Sequence, residues 1–174
     1  MHEYGFLRVA SAVPKVSVAD CVHNTQAILA KAQKAYDNRA EIVLFPELSL
    51  SAYTCGDLFL QSILLDSVED SIDKICEASR NWNNLMIVLG APLRNEGRLY
   101  NCAVVVQDGK INGVVPKSFL PNYSEFYEKR WFASALDSKT DTITINNNAV
   151  PFSTYLLFSK GDAKIAIEIC EDLW

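Results

Sequence analysis

Apolar positions along the chain follow two periods in turn. Phe6 to Val13, with Leu7, Val9 and Ala10 apolar, predicts a strand that stops at Pro14. Ser17-Val18-Ala19-Asp20 then offers a helix N-cap, and Val22, Ile28, Leu29, Ala32 and Ala35 continue at helical spacing. Glu41-Ile42-Val43-Leu44-Phe45 is a short apolar run ending at Pro46, the pattern of a strand buried on both faces. Asp57 through Arg80 predicts helix in two pieces, with Leu60, Ile63, Leu64, Val68, Ile72 and Ile75 on apolar faces. Leu85 to Gly90 reads as a second buried strand. Tyr100 to Gln107 and Lys110 to Val115 flank Asp108-Gly109, a hairpin signal. After a polar and aromatic stretch from Pro116 to Trp131, three more strands are expected at Thr142–Ile145, Thr154–Phe158 and Lys164–Ile169. The order strand, helix, strand, helix, strand, followed by strands, predicts an α/β layered fold with a mixed sheet.

Composition narrows the class. The 174 residues are 49% hydrophobic and 21% charged, an ordinary globular balance sized for one domain. Net charge is −5 and no Lys/Arg cluster forms a stripe, which argues against a nucleic-acid partner. No apolar run is long enough to span a bilayer. Met1-His2-Glu3-Tyr4-Gly5-Phe6 lacks the basic-then-apolar order of a signal peptide. The five cysteines are an odd number, widely spaced and without a CxxC, and there are two histidines. That pattern speaks against a zinc site and for a reduced, cytoplasmic protein with mostly buried thiols.

Three polar residues are expected just beyond strand ends. Glu47 follows Ile42–Pro46, Lys117 follows Ile111–Pro116, and Cys170 follows Ile165–Ile169. In open α/β sheets the ligand crevice lies beyond the carboxyl ends of strands. A thiol is nucleophilic but mostly protonated near neutral pH. A lysine beside it is expected to lower its pKa, and a glutamate can accept the thiol proton, pass it to a leaving amine and then activate water. Neither His2 nor His23 is placed for a Cys-His pair. Taken singly, Glu47 and Lys117 read as solvated charges and Cys170 as an inert buried thiol. The run Glu125, Glu128, Lys129, Arg130 reads as a solvated loop or helix face, and the aromatics from Tyr123 to Phe132 equally as core or interface packing or as a pocket wall.

The combination resembles a known family. Phe45-Pro46-Glu47-Leu48, Val115-Pro116-Lys117 and Ile169-Cys170-Glu171-Asp172 resemble the three signature segments of the nitrilase (carbon–nitrogen hydrolase) superfamily. Residues 47–59, 117–128 and 170–174 resemble the amino-terminal glutaminase domain of the glutamine-dependent NAD synthetases, and the similarity runs over essentially the whole chain. The resemblance implies an α/β fold, a nitrilase-like α-β-β-α sandwich with mixed sheets. It implies that residues 1–174 are a partial glutaminase domain ending shortly after the nucleophile, with the synthetase domain absent from this chain. The implied activity is hydrolysis of the glutamine side-chain amide. The ammonia passes to a synthetase domain that uses ATP and Mg²⁺ to amidate nicotinic acid adenine dinucleotide to NAD. No cofactor or metal is implied here. The implied partners are L-glutamine, the synthetase domain and further copies in a homo-oligomer.

Carried over by position, Cys170 is the nucleophile, Glu47 the proton acceptor and Lys117 the third catalytic residue. Tyr123, Glu171, Tyr53 and Phe126 are the implied glutamine contacts, with a supporting glutamate at Glu125 in preference to Glu128. Ala52 stands where the family usually has glycine, and would be strained if that position requires a positive φ. Two alternatives stay open on the residues: an amidase or carbamoylase for another small amide, and a non-catalytic structural piece of such a domain.

Overall fold

The computed structural model describes residues 5–174; Met1 to Tyr4, and with them His2 and most of the segment read for a signal peptide, lie outside the described residues. Nine strands and two helices follow in chain order: β1 (Val9–Ser11), α1 (Cys21–Asp37), β2 (Ile42–Leu44), α2 (Ser62–Ser79), β3 (Met86–Asn95), β4 (Arg98–Gln107), β5 (Lys110–Pro116), β6 (Thr142–Ile145), β7 (Asn148–Pro151), β8 (Phe158–Lys160) and β9 (Ala163–Ile165). The first five strands form one sheet in the order β1-β2-β3-β4-β5. β1, β2 and β3 run parallel, joined by α1 and α2, and β3, β4 and β5 form an antiparallel meander. The sheet is therefore mixed, as the pattern predicts.

Alternation along the strands sorts the core into two layers. Val43, Ile87, Leu89, Ala91, Tyr100, Cys102, Val104 and Val114 pack with Ile28, Ala32, Leu64, Val68, Ile72 and Ile75 of the helices. Ile42, Met86, Val88, Ala103, Val105 and Val115 face the other way, onto Phe158 and Ile169. α1 begins where expected: the Asp20 carboxylate accepts from the His23 N–H at 2.9 Å.

Several expectations need correction. Val22, Leu60 and Ile63 are exposed rather than on buried faces, and Leu44 breaks the expected two-sided burial of β2. The second helical region is indeed in two pieces: Gln61 is extended (ψ 123°) and separates a 3-10 turn at Gly56–Leu60 from α2. β3 runs on to Asn95 and turns at Glu96-Gly97, both at positive φ, into β4. Its polar end disguised that hairpin. β7 was not foreseen; it pairs with β6 across Asn146-Asn147, also both at positive φ. The expected strand at 154–158 is present only at Phe158, where β8 begins. The expected strand at 164–169 ends at Ile165, so residues 166–169 approach Cys170 outside any described ladder. Among the described residues, no helix is long and apolar enough to cross a membrane.

Candidate active site

Glu47 sits in the turn that leaves β2 at the carboxyl end of the parallel strands. The turn is tight, with Leu48 at φ 52° and Ala52 at φ 71°. Ala52 thus occupies the left-handed region that glycine favours, at a cost of about 1–2 kcal/mol. The floor of the turn is Gly90 of β3, whose N–H donates to Ser49 Oγ (3.2 Å) and whose carbonyl accepts from the Leu50 N–H (3.1 Å). A Cβ at Gly90 would fall on the Leu48 backbone nitrogen and come within 2.6 Å of the Pro46 carbonyl oxygen. Gly90→Ala is therefore expected to displace the Glu47 turn and to cost about 1–3 kcal/mol, the range for overpacking a filled core. Thermal unfolding checks this; an unchanged Tm would mean that the turn is not seated on Gly90.

Lys117, the residue after β5, is fully buried, contrary to the solvated reading. Its ammonium donates to Glu47 Oε1 at 2.7 Å and to Glu128 Oε1 at 2.8 Å. Burial alone would push the Lys117 pKa down, but the two carboxylates outweigh it and hold it above its usual value. Glu128 is also buried, with 1% of its surface exposed. Its Oε1 accepts a further bond from the Tyr53 hydroxyl (2.7 Å), while its Oε2 has no hydrogen-bond partner among the described residues. Burial pushes the Glu128 carboxyl up, against the pull of Lys117 and Tyr53. Burial and the Glu128 contact push the Tyr53 hydroxyl far up, so it acts as a donor. Of the two candidate glutamates, Glu128 is thus the one bonded to Lys117, and Glu125 is exposed. Arg130 and the Trp131 indole both bond Asp57, tying the segment that carries Glu128 to the turn after Tyr53.

Cys170 starts a short 3-10 turn, Cys170–Leu173, at φ 52°. Among the five cysteines it is the exposed one; Cys21, Cys55 and Cys102 are buried and Cys76 is half-buried. Asp172 fastens this turn to the segment after Lys117, its Oδ1 accepting from the Ser118 (3.0 Å) and Phe119 (2.8 Å) N–H groups. Lys117 does pull the Cys170 thiol pKa down, but burial, with Glu47 and Glu128, pushes harder, and the net direction is up. The lysine thus acts in the expected direction, but it does not set the net direction of the Cys170 thiol.

Glu47 and Cys170 line one cavity of about 240 Å³, with Pro46, Gly90, Ala103 and Ile169 among its walls. Tyr123 and Glu171 are hydrogen-bonded to each other, and Phe126 packs edge-on against Tyr123 with ring centroids 6.0 Å apart. That group, Tyr53 and Lys117 lie outside the cavity's lining. Asn101 was not foreseen: its Nδ2 donates to Glu47 Oε1 at 2.5 Å. A buried amide inside the apolar run of β4 was the available signal. Among the described residues, no three His, Cys, Asp or Glu side chains group as metal ligands.

The profile of the carbon–nitrogen hydrolases matches residues 8–174. The glutamine-dependent NAD(+) synthetase of Mycobacterium tuberculosis is 41% identical over 176 aligned residues, which cover 99% of this chain and 26% of that protein. The crystal structure of a glutamine-dependent NAD(+) synthetase from Cytophaga hutchinsonii superposes with a TM-score of 0.84 at 33% identity, over 95% of this chain and 28% of that one. An amidase from Nesterenkonia sp. shares the fold at a TM-score of 0.74 and 18% identity, over 96% of this chain and 56% of that one. The chain thus spans about a quarter of the synthetases it matches.

Proposed function

The chain belongs to the carbon–nitrogen hydrolase family, and from that premise we propose that it is the glutaminase part of a glutamine-dependent NAD synthetase, with Glu47, Lys117 and Cys170 as its catalytic residues. The observation that carries the reading is the buried ammonium of Lys117 between two carboxylates, Glu47 and Glu128, with Cys170 and Glu47 on one cavity. Residues 1–174 form part of one carbon–nitrogen hydrolase domain in this reading, and the synthetase domain lies outside this chain.

The chemistry follows from the proton inventory. Cys170 Sγ attacks the side-chain amide carbon of glutamine as Glu47 takes its proton, which is the assistance a resting thiol requires. Glu47 Oε1 is occupied by Lys117 and Asn101, so Oε2 is the oxygen that receives the proton. An ammonium has three N–H donors. Two of those of Lys117 serve the carboxylates, and the third, with a backbone N–H of the turn after Cys170, serves the oxyanion. Glu47 returns the proton to nitrogen, the C–N bond breaks and ammonia leaves. Water deprotonated by Glu47 then cleaves the thioester, glutamate leaves, and Glu47 returns the proton to Cys170 Sγ. Tyr123, Glu171, Tyr53 and Phe126 bind glutamine. The ammonia is destined for ATP- and Mg²⁺-dependent amidation of nicotinic acid adenine dinucleotide on the synthetase domain, in a homo-oligomer.

Ammonia release from glutamine, asparagine and simple aliphatic amides tests the specificity. Glutamine is expected to exceed the aliphatic amides by about 10²-fold or more in kcat/KM, as when buried polar groups select a polar substrate. Equal turnover of an aliphatic amide would assign the site to a general amidase instead.

A further inference from the structure

We propose that Asn101 is a positioning residue that holds Glu47 oriented as the general base, and that it fixes Lys117 at the same time through its own backbone. The proposal rests on the reading of Glu47 as the base. Asn101 lies in β4 between Tyr100 and Cys102, which face the helices, and it points with Ala103 to the opposite side of the sheet. It is 1% exposed. Its Nδ2 donates to Glu47 Oε1 at 2.5 Å, and its backbone carbonyl accepts from the Lys117 N–H at 2.8 Å. One residue thus reaches both partners of an ion pair whose members are 70 residues apart in sequence.

A purely structural role explains this poorly. Burying an amide is costly unless its polar atoms are all paired, and the Asn101 Oδ1 is buried with no partner. An apolar residue of the same size would fill the strand without that cost. What the amide adds is a neutral donor on the oxygen that Lys117 also holds. Two donors converging on Oε1 fix the carboxylate's rotation. The orientation is set by chemistry: the flipped amide would put an oxygen against a carboxylate oxygen. Besides Lys117, the charged and polar groups around Glu47 are Glu128, Tyr53 and Cys170. A donor without charge orients the carboxylate without adding a second counter-charge, which a second lysine would do.

The test is the ¹³C NMR signal of the Glu47 carboxyl in the whole protein, assigned through Glu47→Gln, together with ammonia release. In Asn101→Leu that signal is expected to move and broaden, because the carboxylate loses one of the two donors that fix its rotation. Ammonia release should show kcat reduced about 10- to 100-fold with a much smaller change in KM, since the base acts in the transition state. Asn101→Asp keeps the shape and sets a like charge against Glu47, so the change in the signal should be larger still. A Glu47 signal unchanged in both folded variants would overturn the proposal. Failure of both variants to fold would overturn it as well, by making Asn101 a residue of the fold rather than of the base. The NMR signal needs no substrate. A protein inert toward glutamine would therefore remove the glutaminase reading while leaving the role of Asn101 to be decided by Glu47.

Discussion

Cys170→Ala is expected to abolish ammonia release from glutamine, by about 10⁴- to 10⁶-fold, the range for removing a covalent nucleophile. The residue is exposed as a whole and belongs to neither core layer, although its sulfur is partly desolvated, so stability should stay within about 0.5 kcal/mol of the parent, as for other surface substitutions. In a full-length enzyme, synthesis supplied with free ammonia should continue, because Cys170 acts only on the amide. The informative measurement is the pair of rates, glutamine-driven and ammonia-driven, on one preparation. Loss of both would point to damaged assembly. Retained glutamine hydrolysis would remove Cys170 from the chemistry.

Lys117→Met should be costly in two currencies at once. Catalytically it removes an oxyanion donor, about 10²- to 10³-fold in kcat. Structurally it leaves Glu47 and Glu128 facing one another without their shared cation, and breaking a buried ion pair by removing one partner costs about 3–5 kcal/mol. The pH dependence has a definite sign. In the parent, the Lys117 pKa is held above its usual value, so its contribution is intact at neutral pH and is lost only as pH rises through that folded value. In the variant, Glu128, already pushed up by burial and now without its cation, binds its proton more tightly folded than unfolded. The deficit should therefore shrink as pH falls through the carboxylate range and grow again toward neutrality. Tm recorded from acid to mildly basic pH for both proteins decides it. A constant difference across that range would mean that Lys117 is not the counter-ion of this pair.

Glu47 and Lys117 were legible because a polar residue directly after a buried apolar run is conspicuous. Their meeting was legible because β2 and β5 run in the same direction and end at the same edge of the sheet. What surrounds them was less so. Glu125 and Glu128 are chemically alike and three positions apart, and only the turn at Glu128–Arg130 decides that Glu128 is the one turned inward to Lys117. Asn101 was hidden because an amide in an apolar strand has no meaning until its cross-strand neighbours are known. The Cys170 thiol was misjudged because the sequence names the charges around it but not its burial, the largest influence on it. The polar end of β3 looked like a loop for a similar reason: Arg94 is held by Asp66 and Glu69 of α2, a partnership set by the tertiary fold.

The order of the sheet has a consequence in time as well as in space. Glu47 leaves β2, Gly90 lies in β3, Asn101 in β4 and Lys117 after β5, so four adjacent strands must find their register before the base has its partners. Such distant closures come late in folding, after local helices and hairpins. A slip of β4 by one residue would turn Asn101 toward the helices and present Tyr100 or Cys102 in its place. A misregistered chain would then keep Glu47 but lose the amide that orients it. Under the proposed function, the rate of ammonia release would thus report on the register of β4.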